Sequence, residues 1–127
     1  MRALIVDDSA PARLHAGKML AELGFEVYEA AHGGDALGVL AQLGPLEVVV
    51  LDWNMPYMDG LELLKTLRRD RKFDPTLVVM ATGNSDLDSV TRALEAGANE
   101  YVMKPFTRDD LAGKLAILGF AFSEPEV

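Results

Sequence analysis

Residues 46–52 read Leu-Glu-Val-Val-Val-Leu-Asp, a nearly unbroken apolar run that ends in a carboxylate. Such a run is typical of a central strand that is buried on both faces of a parallel sheet. The residues that follow, Asn54-Met55-Pro56 and Asp59-Gly60, have the composition of a loop. The run therefore predicts a parallel sheet in which Asp52 lies at the carboxyl end of a central strand.

Four further apolar runs alternate with segments in which leucines and other apolar residues recur at helical spacing. These runs cover residues 3–6, 25–30, 77–81 and 100–103. The resulting order, βαβαβαβαβα, predicts an α/β fold with a doubly wound, five-stranded parallel sheet and helices on both faces. In sheets of this kind, ligands bind at the carboxyl ends of the strands, where the strand order reverses.

Several residues carry helix start and stop signals. Ser9 is expected to cap the first helix, with Pro11 in its first turn and Gly24 at its end. The pair Gly33-Gly34 is expected to form a turn before the second helix. Capping-box spacings open the fourth and last helices, at Ser85 with Asp88 and at Thr107 with Asp110.

Length and composition exclude several classes of protein. The chain has 127 residues, no cysteine and a formal net charge of −8. This charge argues against nucleic-acid binding by the domain itself and against adsorption to anionic membranes. The lack of cysteine excludes disulfides and thiolate metal sites, and no apolar run approaches the roughly 18 residues that membrane insertion needs. We expect a cytoplasmic protein with one domain at 1–122 and a short polar tail at 123–127.

Four of the five predicted strands end in side chains that can do chemistry. Asp7 and Asp8 follow the first strand, Asp52 the third, Thr82 the fourth and Lys104 the fifth. Because parallel strands share one carboxyl edge, we expect all five side chains to meet in one crevice. Clustered carboxylates repel each other unless a cation balances them, and Mg²⁺ prefers oxygen ligands and phosphate oxygens. The sequence thus predicts a magnesium site that could also bind Mn²⁺. At this site Asp52 is the predicted nucleophile and would form an aspartyl-phosphate, while Thr82 and Lys104 would donate to the phosphoryl oxygens.

Other phosphate-binding and hydrolytic sites fit the sequence less well. It contains no Walker A loop, and no G-x-G-x-x-G follows the first strand. Asp7 and Asp8 would repel the phosphate of a flavin. A phosphatase with an aspartate nucleophile usually has a second aspartate two residues later, where this chain has Asn54. His15 and His32 complete no Ser-His-Asp group and are expected to be surface or packing residues.

The chain resembles the receiver domain of two-component response regulators over essentially its whole length. The segments that carry the resemblance are LIVDD at 4–8, VVLDWNMPYMDG at 49–60, ATG at 81–83 and YVMKPF at 101–106. Residues 52–60 are most similar to the single-domain chemotaxis type. The resemblance implies a flavodoxin-like (βα)5 fold with strand order 2-1-3-4-5. It also implies a signalling switch that is activated by phosphorylation.

The resemblance assigns a role to each residue of the acidic cluster. Asp52 would accept a phosphoryl group from a sensor histidine kinase or a phosphotransfer protein. Mg²⁺ would be held by the carboxylates of Asp8 and Asp52 and by the backbone carbonyl of Asn54. Asp7 would act mostly through a metal-bound water. Lys104 would contact the phosphoryl group.

The resemblance also implies how the signal leaves the site. Thr82 would move toward the phosphoryl group and Tyr101 would follow it inward. This movement would change the face formed by the fourth helix, fifth strand and fifth helix, which would then control a target protein. The bond from Lys104 to Pro105 is expected to be cis. The positions that border the phosphoryl group and tune its lifetime are Asn54 and Asn84.

Some alternatives stay open at this point. Apolar residues continue past the last helix at Ile117, Phe120 and Phe122, where they either fold back on the core or form a partner or dimer surface. We expect a monomer or weak dimer that catalyses only its own phosphorylation and dephosphorylation, and so is not an enzyme in the metabolic sense. A receiver fragment of a longer regulator and a phosphorylation-independent scaffold are the alternatives, and the missing second aspartate argues against a phosphohydrolase.

Overall fold

The structure, a computed structural model, describes residues 1–55, 59–83 and 87–122. Over these ranges, five parallel strands alternate with five α-helices, and the strand order is β2-β1-β3-β4-β5. The strands are β1 Arg2–Val6, β2 Glu26–Ala30, β3 Val48–Asp52, β4 Leu77–Thr82 and β5 Glu100–Met103. The helices are α1 Ala10–Glu22, α2 Gly33–Leu43, α3 Gly60–Arg69, α4 Leu87–Glu95 and α5 Arg108–Ile117, with a short 3₁₀ turn at Arg71–Phe73. The predicted fold and strand order are confirmed.

The core has two layers because helices cover both faces of the sheet. Every residue of β3 is buried, which explains the unbroken apolar run at the centre of the sequence. Helices α2, α3 and α4 pack on one face and α1 and α5 on the other. The first layer includes Leu4, Leu40, Val49, Leu64 and Met80, and the second includes Ile5, Leu20, Val50, Val79 and Leu111. Within the described ranges, no helix is both long and apolar enough to cross a bilayer.

Most of the predicted helix boundaries are confirmed. The Ser9 side chain accepts a hydrogen bond from the backbone of Ala12 at the start of α1. Gly24, which follows α1, has a φ of 100° that favours glycine. Thr107 and Asp110 form the expected reciprocal capping box of α5. Ser85, the predicted cap of the fourth helix, and the tail at 123–127 lie outside the described residues.

The predicted turn at Gly33-Gly34 is wrong, because these residues form the first turn of α2. His32 is the N-cap of this helix: its ring Nδ1 accepts a hydrogen bond from the Asp35 backbone N–H at 3.2 Å. Its Nε2 lies 3.3 Å from the Asp35 carboxylate. Histidine is not among the commonly preferred capping residues, and a glycine pair usually marks a turn. His32 therefore has a capping role that the sequence analysis did not assign.

The apolar chain end folds back on the core. The ring of Phe25, a buried residue directly before β2, lies 5.4 Å from the Phe120 ring and 6.2 Å from the Phe122 ring. Phe120 and Phe122 stack on each other at 6.2 Å. Of the two alternatives left open by the sequence, the structure supports folding back for these residues. Ile117 differs from them, since 71% of its surface stays exposed.

Arg68, at the end of α3, joins four chain segments. Its guanidinium and Nε donate to the carbonyl oxygens of Gly97 at 3.0 Å, Phe73 at 2.9 Å and Thr76 at 2.8 Å, and to Asn99 Oδ1 at 2.9 Å. Burial lowers the pKa of Arg68, but an arginine of this kind stays protonated. The side chain therefore ties the end of α4 and the start of β5 to α3 and β4.

Gly60 brings α3 close to the end of β3. Its backbone N–H donates to the carbonyl of Trp53 at 3.1 Å. A Cβ atom built on Gly60 would collide with the backbone carbonyl oxygen of Asp52 and lie 3.0 Å from Cα of Trp53. The lack of a side chain at this position thus allows α3 to begin directly against the residue that carries the candidate nucleophile.

We expect Gly60→Ala to lower the free energy of unfolding by about 1–3 kcal/mol, because backbone atoms must move to admit the methyl group. Gly113→Ala is the matched control, since a Cβ atom there meets nothing within 4 Å. That change should stabilise α5 by about 0.5–1 kcal/mol. Urea unfolding of both variants checks the prediction, and an unperturbed midpoint for Gly60→Ala would contradict it.

Candidate functional site

Three carboxylates meet at the carboxyl edge of the sheet. Asp52 ends β3 and Asp7 directly follows β1, its neighbour in the sheet. Asp7 is 3% exposed and Asp52 is 6% exposed, whereas Asp8 is open to solvent. Each of the three offers one oxygen that lies within 4.8 Å of the other two. The topology thus brings together the three acidic residues that the sequence placed at strand ends.

Lys104 bridges the two buried carboxylates. Its Nζ lies 2.7 Å from Asp7 Oδ2 and 3.2 Å from Asp52 Oδ1. Its backbone N–H donates to the carbonyl of Thr82 at 2.8 Å, which joins the ends of β4 and β5. The peptide bond to Pro105 is cis, as the resemblance implies. One ammonium group therefore faces two carboxylates in a largely buried place.

The charges of this cluster shift each other's protonation. Burial raises the pKa of Asp52; the Asp7 carboxylate raises it further, and Lys104 offsets only part of the effect. Burial alone lowers the pKa of Lys104, but its hydrogen bond to Asp7 and the charge of Asp52 outweigh burial, so that its pKa is raised. Lys104 therefore stays a cation at neutral pH, while the ionised form of Asp52 is disfavoured.

Backbone groups fix the orientation of the two buried carboxylates. Asp7 Oδ1 accepts from the backbone N–H of Ser9 at 2.9 Å, and Asp52 Oδ1 accepts from that of Asn54 at 3.4 Å. Arg13 donates from its guanidinium to the backbone carbonyl of Asp7 at 2.8 Å. Arg13 carried no role in the sequence analysis, because only the folded β1–α1 loop brings it back to Asp7.

The remaining predicted site residues lie at different distances from the cluster. Thr82 is buried at the end of β4, one position beyond Ala81, which pairs with Asp52 in the sheet. Tyr101 is half-buried in β5. Asn84 lies outside the described residues. The structure thus places Thr82 at the same sheet edge, while the movements assigned to Thr82 and Tyr101 stay predictions.

The cluster has the chemistry of a site for a hard divalent cation. Its three acidic residues offer only oxygen ligands, and one or two carboxylates with several waters are the usual environment of protein-bound Mg²⁺. Asp8 is exposed, so that the cluster opens to solvent. The donor set therefore fits Mg²⁺, and Mn²⁺ can use the same ligands.

A cavity of about 300 Å³ adjoins the cluster between α1 and the segment after β5. Asp7, Asp52 and Lys104 contribute to its lining, and its walls are mostly apolar. These walls include Ile5, Ala12, Ala16, Phe106 and the exposed His15. The expectation that His15 is a surface residue is confirmed.

Comparison with known proteins places this arrangement in a family. The model of the response regulator receiver domain matches residues 3–116. The chemotaxis protein CheY homolog of Campylobacter jejuni is 40% identical over 126 residues, which cover 98% of this chain and 97% of that protein. Chemotaxis protein CheY1 of Helicobacter pylori is 40% identical over 119 residues, or 93% and 96% of the two chains.

A solved structure gives the same result. The chemotaxis protein CheY4 of Vibrio cholerae superposes with a TM-score of 0.85 at 30% identity, covering 91% of this chain and 96% of that one. A parallel sheet in the order 2-1-3-4-5 defines a flavodoxin-like domain, and the ligand sites of such domains lie at the carboxyl edge of the sheet where the strand order reverses. The chain belongs to the response regulator receiver family, and the relatives reported above are chemotaxis proteins named CheY.

We expect Asp52→Asn to stabilise the metal-free protein at pH 7, by about 1 kcal/mol, because it removes a buried negative charge next to Asp7. The direction of this change in stability follows from the raised pKa of Asp52. An acid with a raised folded-state pKa favours folding at low pH, and this contribution is lost as the pH rises through the folded-state value. The gain from the variant should therefore shrink as the pH falls and wild-type Asp52 becomes protonated. Urea unfolding in chelator at several pH values measures it.

Asp8→Asn is the matched control for this experiment. Asp8 belongs to the same cluster but is exposed, so that water screens its charge. Its substitution should change the free energy of unfolding less than Asp52→Asn does. A midpoint for Asp52→Asn that is unchanged or lower than that of the wild type would mean that the buried carboxylates do not repel each other.

Proposed function

We propose that this receiver is a phosphorylation-activated switch in which Asp52 accepts the phosphoryl group with the help of Mg²⁺. The observation that supports this most directly is the position of Asp52. Its buried carboxylate ends the central strand 3.2 Å from the Lys104 ammonium and lies within 4.8 Å of the Asp7 and Asp8 carboxylates. This site joins a nucleophilic oxygen, a fixed cation and an oxygen-rich ligand set, which are the components that phosphoryl transfer uses.

The donor is a phosphohistidine of a sensor histidine kinase or phosphotransfer protein. The P–N bond to the histidine breaks, and a bond forms between phosphorus and a carboxylate oxygen of Asp52. Lys104 is held beside Asp52 by its 2.7 Å contact with Asp7, and it neutralises charge on the phosphoryl oxygens. The backbone N–H of Asn54 orients the nucleophilic carboxylate through Oδ1.

Mg²⁺ would be held by Asp8 and Asp52 and by the backbone carbonyl of Asn54, with Asp7 bound through a water. When bound, the ion supplies positive charge that screens the carboxylates from the incoming phosphoryl group. The domain catalyses only the formation and hydrolysis of its own acyl phosphate. Asn54 and Asn84 tune the lifetime of the phosphoryl group.

The signal reaches a target protein through the face formed by α4, β5 and α5. Thr82 moves toward the phosphoryl group, and Tyr101 follows it inward. The hydrogen bond from the Lys104 backbone N–H to the Thr82 carbonyl supports a coupling of these elements, since it joins the ends of β4 and β5. The relatives named as chemotaxis proteins support a target in chemotaxis. We expect the switch to act in the cytoplasm.

Intact-mass measurement tests the proposal. We expect the protein, incubated with Mg²⁺ and acetyl phosphate, to gain a single phosphoryl group that is stable in acid and labile in base. Asp52→Asn should abolish this addition. Asp74→Asn is the control, because Asp74 is an exposed carboxylate remote in sequence from the acidic cluster, and it should leave the addition intact.

Two other outcomes would contradict the switch. Wild-type protein that gains no mass under these conditions would favour a phosphorylation-independent scaffold. Steady release of phosphate from unrelated phosphoesters would favour a phosphohydrolase. The carboxylates and lysine at the site argue against the scaffold, and Asn54 in place of a second aspartate argues against the hydrolase.

A further inference from the structure

The Tyr101 ring lies beneath an ammonium group. Lys114 Nζ is 4.2 Å from the centroid of this ring, well within the roughly 6 Å over which a cation and an aromatic face attract each other. Tyr101 belongs to β5, the edge strand of the sheet, and Lys114 belongs to α5. The contact therefore joins two of the three elements that form the proposed output face.

Glu100 holds this ammonium in place. Its Oε1 lies 3.3 Å from Lys114 Nζ and also accepts a hydrogen bond from the backbone N–H of Tyr101 at 3.0 Å. The Lys114 side chain is 28% exposed and that of Glu100 is 17% exposed. Both groups are thus partly withdrawn from water. Charge interactions in such a place are stronger than on an open surface. One carboxylate oxygen fixes the lysine relative to the backbone of the tyrosine that it covers.

We propose that Lys114, positioned by Glu100, holds the Tyr101 ring in its resting place. This contact would set how readily the output face responds to phosphorylation of Asp52. The inference rests on the proposed function, in which Tyr101 moves inward on phosphorylation. Inward movement separates the ring from the ammonium, so that the contact stabilises only the resting state. Lys114 is then a positioning residue outside the acidic cluster, and it tunes the equilibrium between the two states.

The size of the effect follows from the strength of the contact. A partly exposed cation–π pair changes a two-state equilibrium by about two- to fivefold. When only a minor state binds a ligand well, the apparent affinity for that ligand rises in proportion to the population of that state. Loss of the Lys114 charge should therefore tighten the binding of a phosphoryl mimic by the same factor.

Beryllofluoride with Mg²⁺ is the mimic for the test, and Trp53 is the reporter. Trp53 follows Asp52 in the chain, is half-buried and is the only tryptophan. We expect Lys114→Met to bind beryllofluoride about two- to fivefold more tightly than the wild type. Lys114→Arg should restore the wild-type affinity, because a guanidinium can make both the ring contact and the ion pair.

Variants of the tyrosine separate this effect from a general change in stability. Tyr101→Phe keeps the aromatic face, so Lys114→Met should still tighten binding in that background. Tyr101→Leu removes the face, and Lys114→Met should then have no effect. An equal effect of Lys114→Met in the leucine background would overturn the inference, because the lysine would not act through the ring.

The beryllofluoride titration also separates failure of this inference from failure of the proposed function, and an NMR measurement tests the contact itself. A wild-type protein that binds no beryllofluoride overturns both. Normal binding by the wild type with unchanged affinity for Lys114→Met overturns the inference alone. In the free protein, the Lys114 ε-methylene protons should show an upfield NMR shift that Tyr101→Leu abolishes, and absence of this shift would overturn the contact itself.

Discussion

The contact of one ammonium group with two buried carboxylates is the constraint on which the site depends. Strands β1 and β3 are neighbours, so the sheet order forces Asp7 and Asp52 together at one edge. The chain returns through β5 and places Lys104 between them, at 2.7 Å and 3.2 Å. Burial and the charge of Asp7 together raise the pKa of Asp52 by more than Lys104 lowers it. The folded protein thus keeps a site that further bound positive charge would stabilise.

Much of the fold and the centre of the site could be predicted from local patterns. A strand buried on both faces is almost wholly apolar, so residues 48–51 are recognisable without any tertiary information. Parallel strands share one carboxyl edge, so the residues that end them lie at the same edge of the sheet in every topology of this class. This rule was sufficient to place Asp7, Asp52 and Lys104 at one edge, whereas the strand order that makes β1 and β3 neighbours came from the family resemblance.

The contacts that local patterns could not predict are those of long or unusual side chains. Arg68 reaches carbonyl groups up to 29 residues away, and no periodicity in the sequence marks such a partner. Lys114 and Glu100 are ordinary charged residues of a helix and a strand until the fold sets one above the Tyr101 ring. The prediction of a turn at Gly33-Gly34, which missed the His32 cap, failed for a local reason. A glycine pair has a stronger preference for turns than histidine has for a cap.

The four hydrogen bonds of Arg68 restrict how the proposed output face can move. They hold Gly97 and Asn99, at the junction between α4 and β5, against α3 and the start of β4. Asn99 Oδ1 also accepts from the backbone N–H of Val78, which fastens the same junction to the sheet. If α4 moves relative to the sheet, this anchored junction would move least and the opposite end of the helix, at Leu87, would move most.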